Sequence, residues 1–130
     1  ERFNILDDSY NSNPRALSAA IDVLCFEKGE KWIVLGDMLE LGLNAQDLHD
    51  ESIIKMNESG VNRLFTIGSL SAKSSLHFER ISENFTDVND LISRLRALIR
   101  ASENKVSVLI KGSRAFNLDL VVEALKEANV

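Results

Sequence analysis

Short continuous apolar runs alternate along this chain with longer stretches in which apolar residues return every three or four positions. The runs have the form of strands buried on both faces, and the spaced stretches that of amphipathic helices. Phe3 to Asp7 predicts a first strand. Pro14 to Lys28 predicts a helix with Leu17, Ile21, Leu24 and Cys25 on one face, Asn13 as its cap, Pro14 at its first position and Gly29 as its stop. Trp32 to Leu35 is a second strand, running into Gly36-Asp37. Asn44 is the expected cap of a helix reaching about Ser59 and stopped by Gly60. Leu64 to Gly68 predicts a third strand and Leu70 to Phe78 a shorter helix. The more polar Ser82 to Phe85 predicts a weak strand at a sheet edge. Thr86 is the expected cap of a periodic helix with Val88, Leu91, Ile92, Leu95, Leu98 and Ile99 in one stripe, acids early and arginines late. Val106 to Ile110 gives a last buried strand, and Ala115 to Ala128 a last helix.

Five strand-helix units with no Pro/Gly-rich linker, low-complexity tract or internal repeat predict one domain. Its expected class is α/β: a three-layer, Rossmann-like domain with a mostly parallel sheet of five or six strands and helices on both faces. The pattern leaves strand order open. In such a sheet the polar clusters after the strands fall along one edge, where open α/β sheets bind ligands. Those clusters are Asp7 to Asn13, Gly36 to Gly42, Gly68-Ser69 and Lys111 to Arg114.

Composition narrows the class further. A chain of 130 residues, 45% hydrophobic, is long enough to bury a core without disulfides or metals. Its net charge of -5 and lack of a basic cluster exclude a general nucleic-acid surface. No apolar stretch reaches the length of a membrane span, so no membrane insertion is expected. The lone Cys25 forms no internal disulfide, suits a reducing cytoplasm, and is expected as a core thiol. The chain opens at Glu1 without an initiator methionine, so a piece of a longer protein is expected.

The first cluster, Asp7-Asp8-Ser9-Tyr10-Asn11-Ser12-Asn13-Pro14, sets two carboxylates, a hydroxyl, a phenol and amides at a strand-to-helix turn. A well-capped polar turn would look much the same. The second, Gly36-Asp37-Met38-Leu39-Glu40-Leu41-Gly42, lacks the Lys and Ser/Thr of a phosphate-binding loop, and no G-x-G-x-x-G occurs in the chain. The last, Lys111-Gly112-Ser113-Arg114, offers cations, a hydroxyl and N–H groups to an anion, or is a solvated basic loop. His49 falls on an apolar stripe with Ala45, Ser52, Ile53 and Met56, which marks a satisfied, partly buried side chain rather than a catalytic one. No Cys/His spacing suits a metal.

Two families fit this outline. A phosphoacceptor receiver domain needs an aspartate ending its central strand, where this chain has Thr66-Ile67-Gly68, and its lysine is typically followed by proline rather than Gly112. The first two clusters, together with Leu48-His49, Phe65 to Gly68 and Lys111 to Arg114, instead resemble the C-terminal domain of the Mur ligase superfamily, in its D-alanyl-D-alanine-adding branch. The resemblance spans nearly the whole chain. Position 12, often alanine in that motif, is serine here.

The resemblance implies that residues 1–130 form one C-terminal domain, and that an N-terminal UDP-substrate domain and a central ATPase domain lie outside the sequence. It implies a cytoplasmic, ATP- and Mg2+-dependent ligase of peptidoglycan synthesis that adds D-alanyl-D-alanine to UDP-N-acetylmuramoyl-tripeptide, both ATP and Mg2+ being held mainly by the central domain. The tripeptide carboxylate is phosphorylated and the dipeptide amine attacks it. This domain would carry no catalytic residue or metal ligand and would be inactive alone. Asp8, Tyr10 and Asn11 would contact nucleotide, Asp8 at the ribose. Asp37, Lys111, Ser113 and Arg114 would contact substrate, Arg114 pairing with the dipeptide carboxylate. A free-standing, non-catalytic ligand-binding α/β module is the alternative.

Overall fold

A computed structural model of the chain describes residues 3–7 and 13–128. Within them five strands alternate with five helices: β1 Phe3–Asp7, α1 Pro14–Cys25, β2 Glu30–Gly36, α2 Ala45–Glu58, β3 Arg63–Ile67, α3 Ser69–Ser74, β4 Ile81–Phe85, α4 Val88–Ala101, β5 Val106–Lys111 and α5 Leu118–Ala128. The strands form one sheet in the order β1-β5-β2-β3-β4, and every pairing is parallel. From β1 through β4 the chain steps in one direction, then returns to insert β5 between β1 and β2. Right-handed crossovers then require α1, α2 and α3 on one face and α4 on the other. The packing agrees: α1 lies on α2, α2 on α3, and α4 on α5.

Each face has its own core, built by the alternation of side chains along the strands. Trp32 and Val34 of β2 join Phe65, Leu91, Leu95, Val108, Val121 and Leu125 on the α4/α5 face. Their neighbours Ile33 and Leu35 join Leu17, Ile21, Ile53, Met56 and Leu64 on the α1/α2 face. Both sides of β2 are therefore dry, which is why its sequence is a continuous apolar run. The rings of Trp32 and Phe65 meet tilted, with centroids 5.6 Å apart, and the Arg63 guanidinium lies 5.7 Å from the Trp32 ring centroid.

The five-strand α/β architecture is the one expected, with β4 at an edge. Asn13 caps α1 as expected, its side chain accepting from the Ala16 N–H at 2.8 Å, with Pro14 in the first turn. Five local expectations are corrected. Helix α1 ends at Cys25 rather than Lys28, and Cys25 is exposed, its thiol donating to the Ser59 carbonyl, instead of lying in the core. Asn44 makes no side-chain cap, because a 3-10 turn, Gly42–Asn44, leads into α2. The cap of α4 is Asp87, one residue after Thr86, whose carboxylate accepts from the Asn89 N–H at 2.7 Å and adds full negative charge at the positive helix end. Helix α5 starts at Leu118 rather than Ala115, because Asn117 takes a left-handed conformation after a separate 3-10 turn, Arg114–Phe116.

Candidate functional site

The strand order sets the first, last and second polar clusters side by side. Register pairs Ile110 with both Asp7 and Val34, and Lys111 with Leu35, so the chain leaves β1, β5 and β2 at one level. Of the first cluster, Asp7, Asn13 and Pro14 are within the described residues. Asp8, Tyr10 and Asn11, the expected nucleotide contacts, lie outside them.

After β5 the backbone passes against β2. A side-chain carbon on Gly112, at φ 158°, would lie 2.7 Å from the Cα of Gly36 and 2.8 Å from its nitrogen. Only glycine fits there. The next residue is held from both ends: the Ser113 N–H donates to the Asp37 carbonyl at 3.1 Å, and the Ser113 hydroxyl accepts from the Ala115 N–H at 3.3 Å. Arg114 follows on the 3-10 turn, and Asn117 redirects the chain into α5.

A cavity of about 450 Å³ opens beside this turn, lined among others by Asp7, Ser113, Arg114, Asp119, Glu123 and Lys126. Asp7 shares its strand face with Phe3 and Ile5, which pack toward α4 and α5, so it opens on the α5 side. Three carboxylates and two cations thus meet around one volume. Sequence reasoning found Ser113 and Arg114 but missed the α5 wall. The signal was present: Asp119, Glu123 and Lys126 recur at i, i+4 and i+7 in a largely apolar helix, a pattern that a solvated face also gives.

The other two expected substrate residues sit elsewhere. Lys111 is fully buried, and the alternation along β5 turns it to the face of Leu109, opposite the cavity. Asp37 is 4% exposed, and its carboxylate accepts from the Ser71 N–H at 2.7 Å and the Leu70 N–H at 3.1 Å. It closes the start of α3 against Gly68, whose φ of 114° and lack of Cβ make room for the carboxylate. His49 is fully buried, as a satisfied histidine: Nε2 accepts from the Met38 N–H at 3.0 Å, so Nδ1 carries the proton and donates to the Ala45 carbonyl at 2.7 Å. Loop 37–41 is thereby tied to α2, α3 and the turn after β5. Among the described residues no group of three or more His, Cys, Asp or Glu could hold a metal ion.

Comparison with known proteins defines the class. Residues 1–114 match the family model described as Mur ligase, glutamate ligase domain. The chain belongs to the Mur ligase family, as its C-terminal domain, with the fold of the MurF type. It is 37% identical over 123 residues to the UDP-N-acetylmuramoyl-tripeptide–D-alanyl-D-alanine ligase of Escherichia coli strain K12, a match covering 95% of this chain and 27% of that protein. The ligase of the same name from Bacillus subtilis strain 168 is 35% identical, over 96% and 28% of the two chains. Among solved structures, a MurF from Acinetobacter baumannii superposes with a TM-score of 0.84 at 27% identity, covering 97% of this chain and 28% of its own. The MurF of Thermotoga maritima, solved with ADP, gives 0.82 at 25% identity, over 98% and 29% of the two chains. The chain thus spans little more than a quarter of the relatives it matches.

The burial of Asp37 generates a direct test. Asp37→Asn keeps the shape but leaves one of the two N–H groups facing an amide NH2, so the chain should lose about 2 kcal/mol of stability in a denaturant titration. An unchanged unfolding midpoint would show that the carboxylate does not hold α3.

Proposed function

We propose that this domain is the acceptor- and nucleotide-contacting part of a cytoplasmic, ATP-dependent ligase that adds D-alanyl-D-alanine to UDP-N-acetylmuramoyl-tripeptide in peptidoglycan synthesis. The observation that carries the reading is the match to a UDP-N-acetylmuramoyl-tripeptide–D-alanyl-D-alanine ligase over 95% of the chain. It is supported by a cavity of mixed charge at the carboxyl edge of the sheet. The unbound dipeptide is a zwitterion, with a carboxylate at one end and an amine at the other. Arg114 and Lys126 are of the sign to receive the carboxylate, and Asp7, Asp119 and Glu123 of the sign to receive the ammonium before it gives up its proton.

In this reading Arg114 anchors the dipeptide carboxylate through two parallel hydrogen bonds, helped by Ser113, leaving the amine to reach the activated tripeptide. Asp37 and Lys111 act behind the site, Asp37 by fixing the loop that accepts from Ser113. Asp8 takes the ribose of the nucleotide, with Tyr10 and Asn11 beside it. ATP supplies the phosphoryl group that activates the tripeptide carboxylate. Mg2+, like most of the ATP site, is assigned by the family resemblance to a central domain outside this chain. No helix among the described residues is long and apolar enough to cross a membrane.

The reading is tested on the full-length protein that carries this domain. Supplied with ATP, Mg2+, the nucleotide-linked tripeptide and D-alanyl-D-alanine, it should form the pentapeptide product together with ADP and phosphate. Absence of product would refute the reading. Arg114→Ala should weaken dipeptide use by about 30- to 150-fold, the loss of a charge-assisted contact of 2 to 3 kcal/mol, while leaving the KM for ATP near normal. Arg114→Lys should restore little. An equal loss toward both substrates, or a lower melting temperature that accounts for the inactivity, would make Arg114 structural. Asp8→Ala should raise the KM for ATP far more than it changes stability, and an unaltered KM would remove Asp8 from the nucleotide site.

A further inference from the structure

The peptide between Asp37 and Met38 is gripped from both sides. Its N–H donates to Nε2 of His49 at 3.0 Å, and its C=O accepts from the Ser113 N–H at 3.1 Å. A trans peptide is planar and sends those two groups in opposite directions, so the plane stands as a strut between α2 and the turn after β5. The strut is dry: Met38 and His49 are fully buried and Asp37 is 4% exposed. In such surroundings each hydrogen bond polarises the peptide and strengthens the other. His49 is itself held, because its Nδ1–H donates at 2.7 Å to the carbonyl of Ala45, the first residue of α2.

The far end of the strut bears on Arg114. Ser113 stands directly before it and accepts from the Ala115 N–H, so the 3-10 turn Arg114–Phe116 starts from the residue that the Asp37 carbonyl holds. The Asp37 carboxylate fixes the loop on α3, whereas the rotation of the next peptide is set by its own two partners, His49 and Ser113. We propose that His49 is a positioning residue: through the 37–38 peptide it fixes the turn that carries Arg114, and thereby the direction in which the guanidinium meets the dipeptide carboxylate. The proposal rests on the ligase reading for the identity of that ligand, and it gives a buried histidine a part in acceptor binding without any contact to the substrate.

Two substitutions separate this role from packing. A glutamine amide reaches as far as Nε2 and an asparagine amide as far as Nδ1, so His49→Gln keeps the acceptor for Met38 and loses the Ala45 bond, whereas His49→Asn does the reverse. Each loses one buried hydrogen bond, so their melting temperatures should fall by similar amounts. In the full-length protein His49→Asn should raise the KM for D-alanyl-D-alanine by about 10-fold with the KM for ATP near normal, and His49→Gln should stay within about 2-fold of the unaltered protein. Added to Arg114→Ala, His49→Asn should have little further effect on dipeptide use, because the two residues act in series. Amide exchange followed by mass spectrometry on the same full-length proteins reads the strut without substrates: in His49→Asn, residues 36–41 and 112–116 should both exchange about 10-fold faster while α1 is unchanged. A dipeptide KM unmoved by His49→Asn, or raised equally by both variants, would overturn the proposal, as would faster exchange in 36–41 with none in 112–116. A melting temperature so much lower in His49→Asn than in His49→Gln that it accounts for the KM would make His49 structural. Coupled exchange of the two segments in a protein that forms no amide would refute the ligase reading and leave His49 as the residue that holds the turn.

Discussion

A right-twisted parallel sheet accepts crossovers of one hand, and that constraint decides where the loops of this domain lie. Three successive crossovers in one direction put α1, α2 and α3 on a common face. The return of the chain through α4 covers the opposite face and sends β5 into the gap between β1 and β2. That insertion makes two ends of the sequence spatial neighbours: the polar turn after β1 and the basic turn after β5 lie more than a hundred residues apart in the chain, yet emerge from adjacent strands. The cavity between β1 and α5 follows from the same step.

Adjacency alone leaves loops mobile, and here backbone contacts fix them. Gly112 lets β5 run against Gly36, and the next residue donates to the Asp37 carbonyl. The Asp37 carboxylate then takes two donors from α3, and His49 takes the N–H of Met38. Asp37, Met38 and His49 are buried, where a lost partner costs the full desolvation of what remains. The loops after β2, β3 and β5 therefore behave as one unit. A shift of the loop after β2 would break bonds to both of the others.

Much of this was legible because the signals are local. Apolar runs located the strands, Asn13-Pro14 marked the start of α1, and His49 on an apolar stripe marked a satisfied side chain. The misses share a physical cause. At helix ends competing turns and caps decide: Thr86 misses the cap of α4 by one residue, Asn44 stands at the start of α2 but follows a 3-10 turn and makes no side-chain bond, and Cys25 is exposed where α1 ends. The roles of Asp37 and Lys111 depend on which strand lies beside theirs and which face each side chain takes, and strand order is not carried by periodicity. The acidic wall of α5 was visible as spacing, but a solvated helix face gives the same spacing.

Burial divides the charged residues of this edge into two kinds. Asp37 and Lys111 are at most 4% exposed, so their charges act in a medium of low polarisability and serve the architecture. Arg114 is exposed, and its attraction for a carboxylate at 4 Å is only about 1 kcal/mol in water but about 4 kcal/mol at an effective dielectric of about 20. An open cavity lined by Arg114 and three carboxylates therefore holds a small zwitterion weakly and selects its orientation more than its affinity. Strength comes when a second body excludes water from the same edge. The architecture suits that division: the groups that must not move are buried in this domain, and the cation that must bind and release stands at its rim.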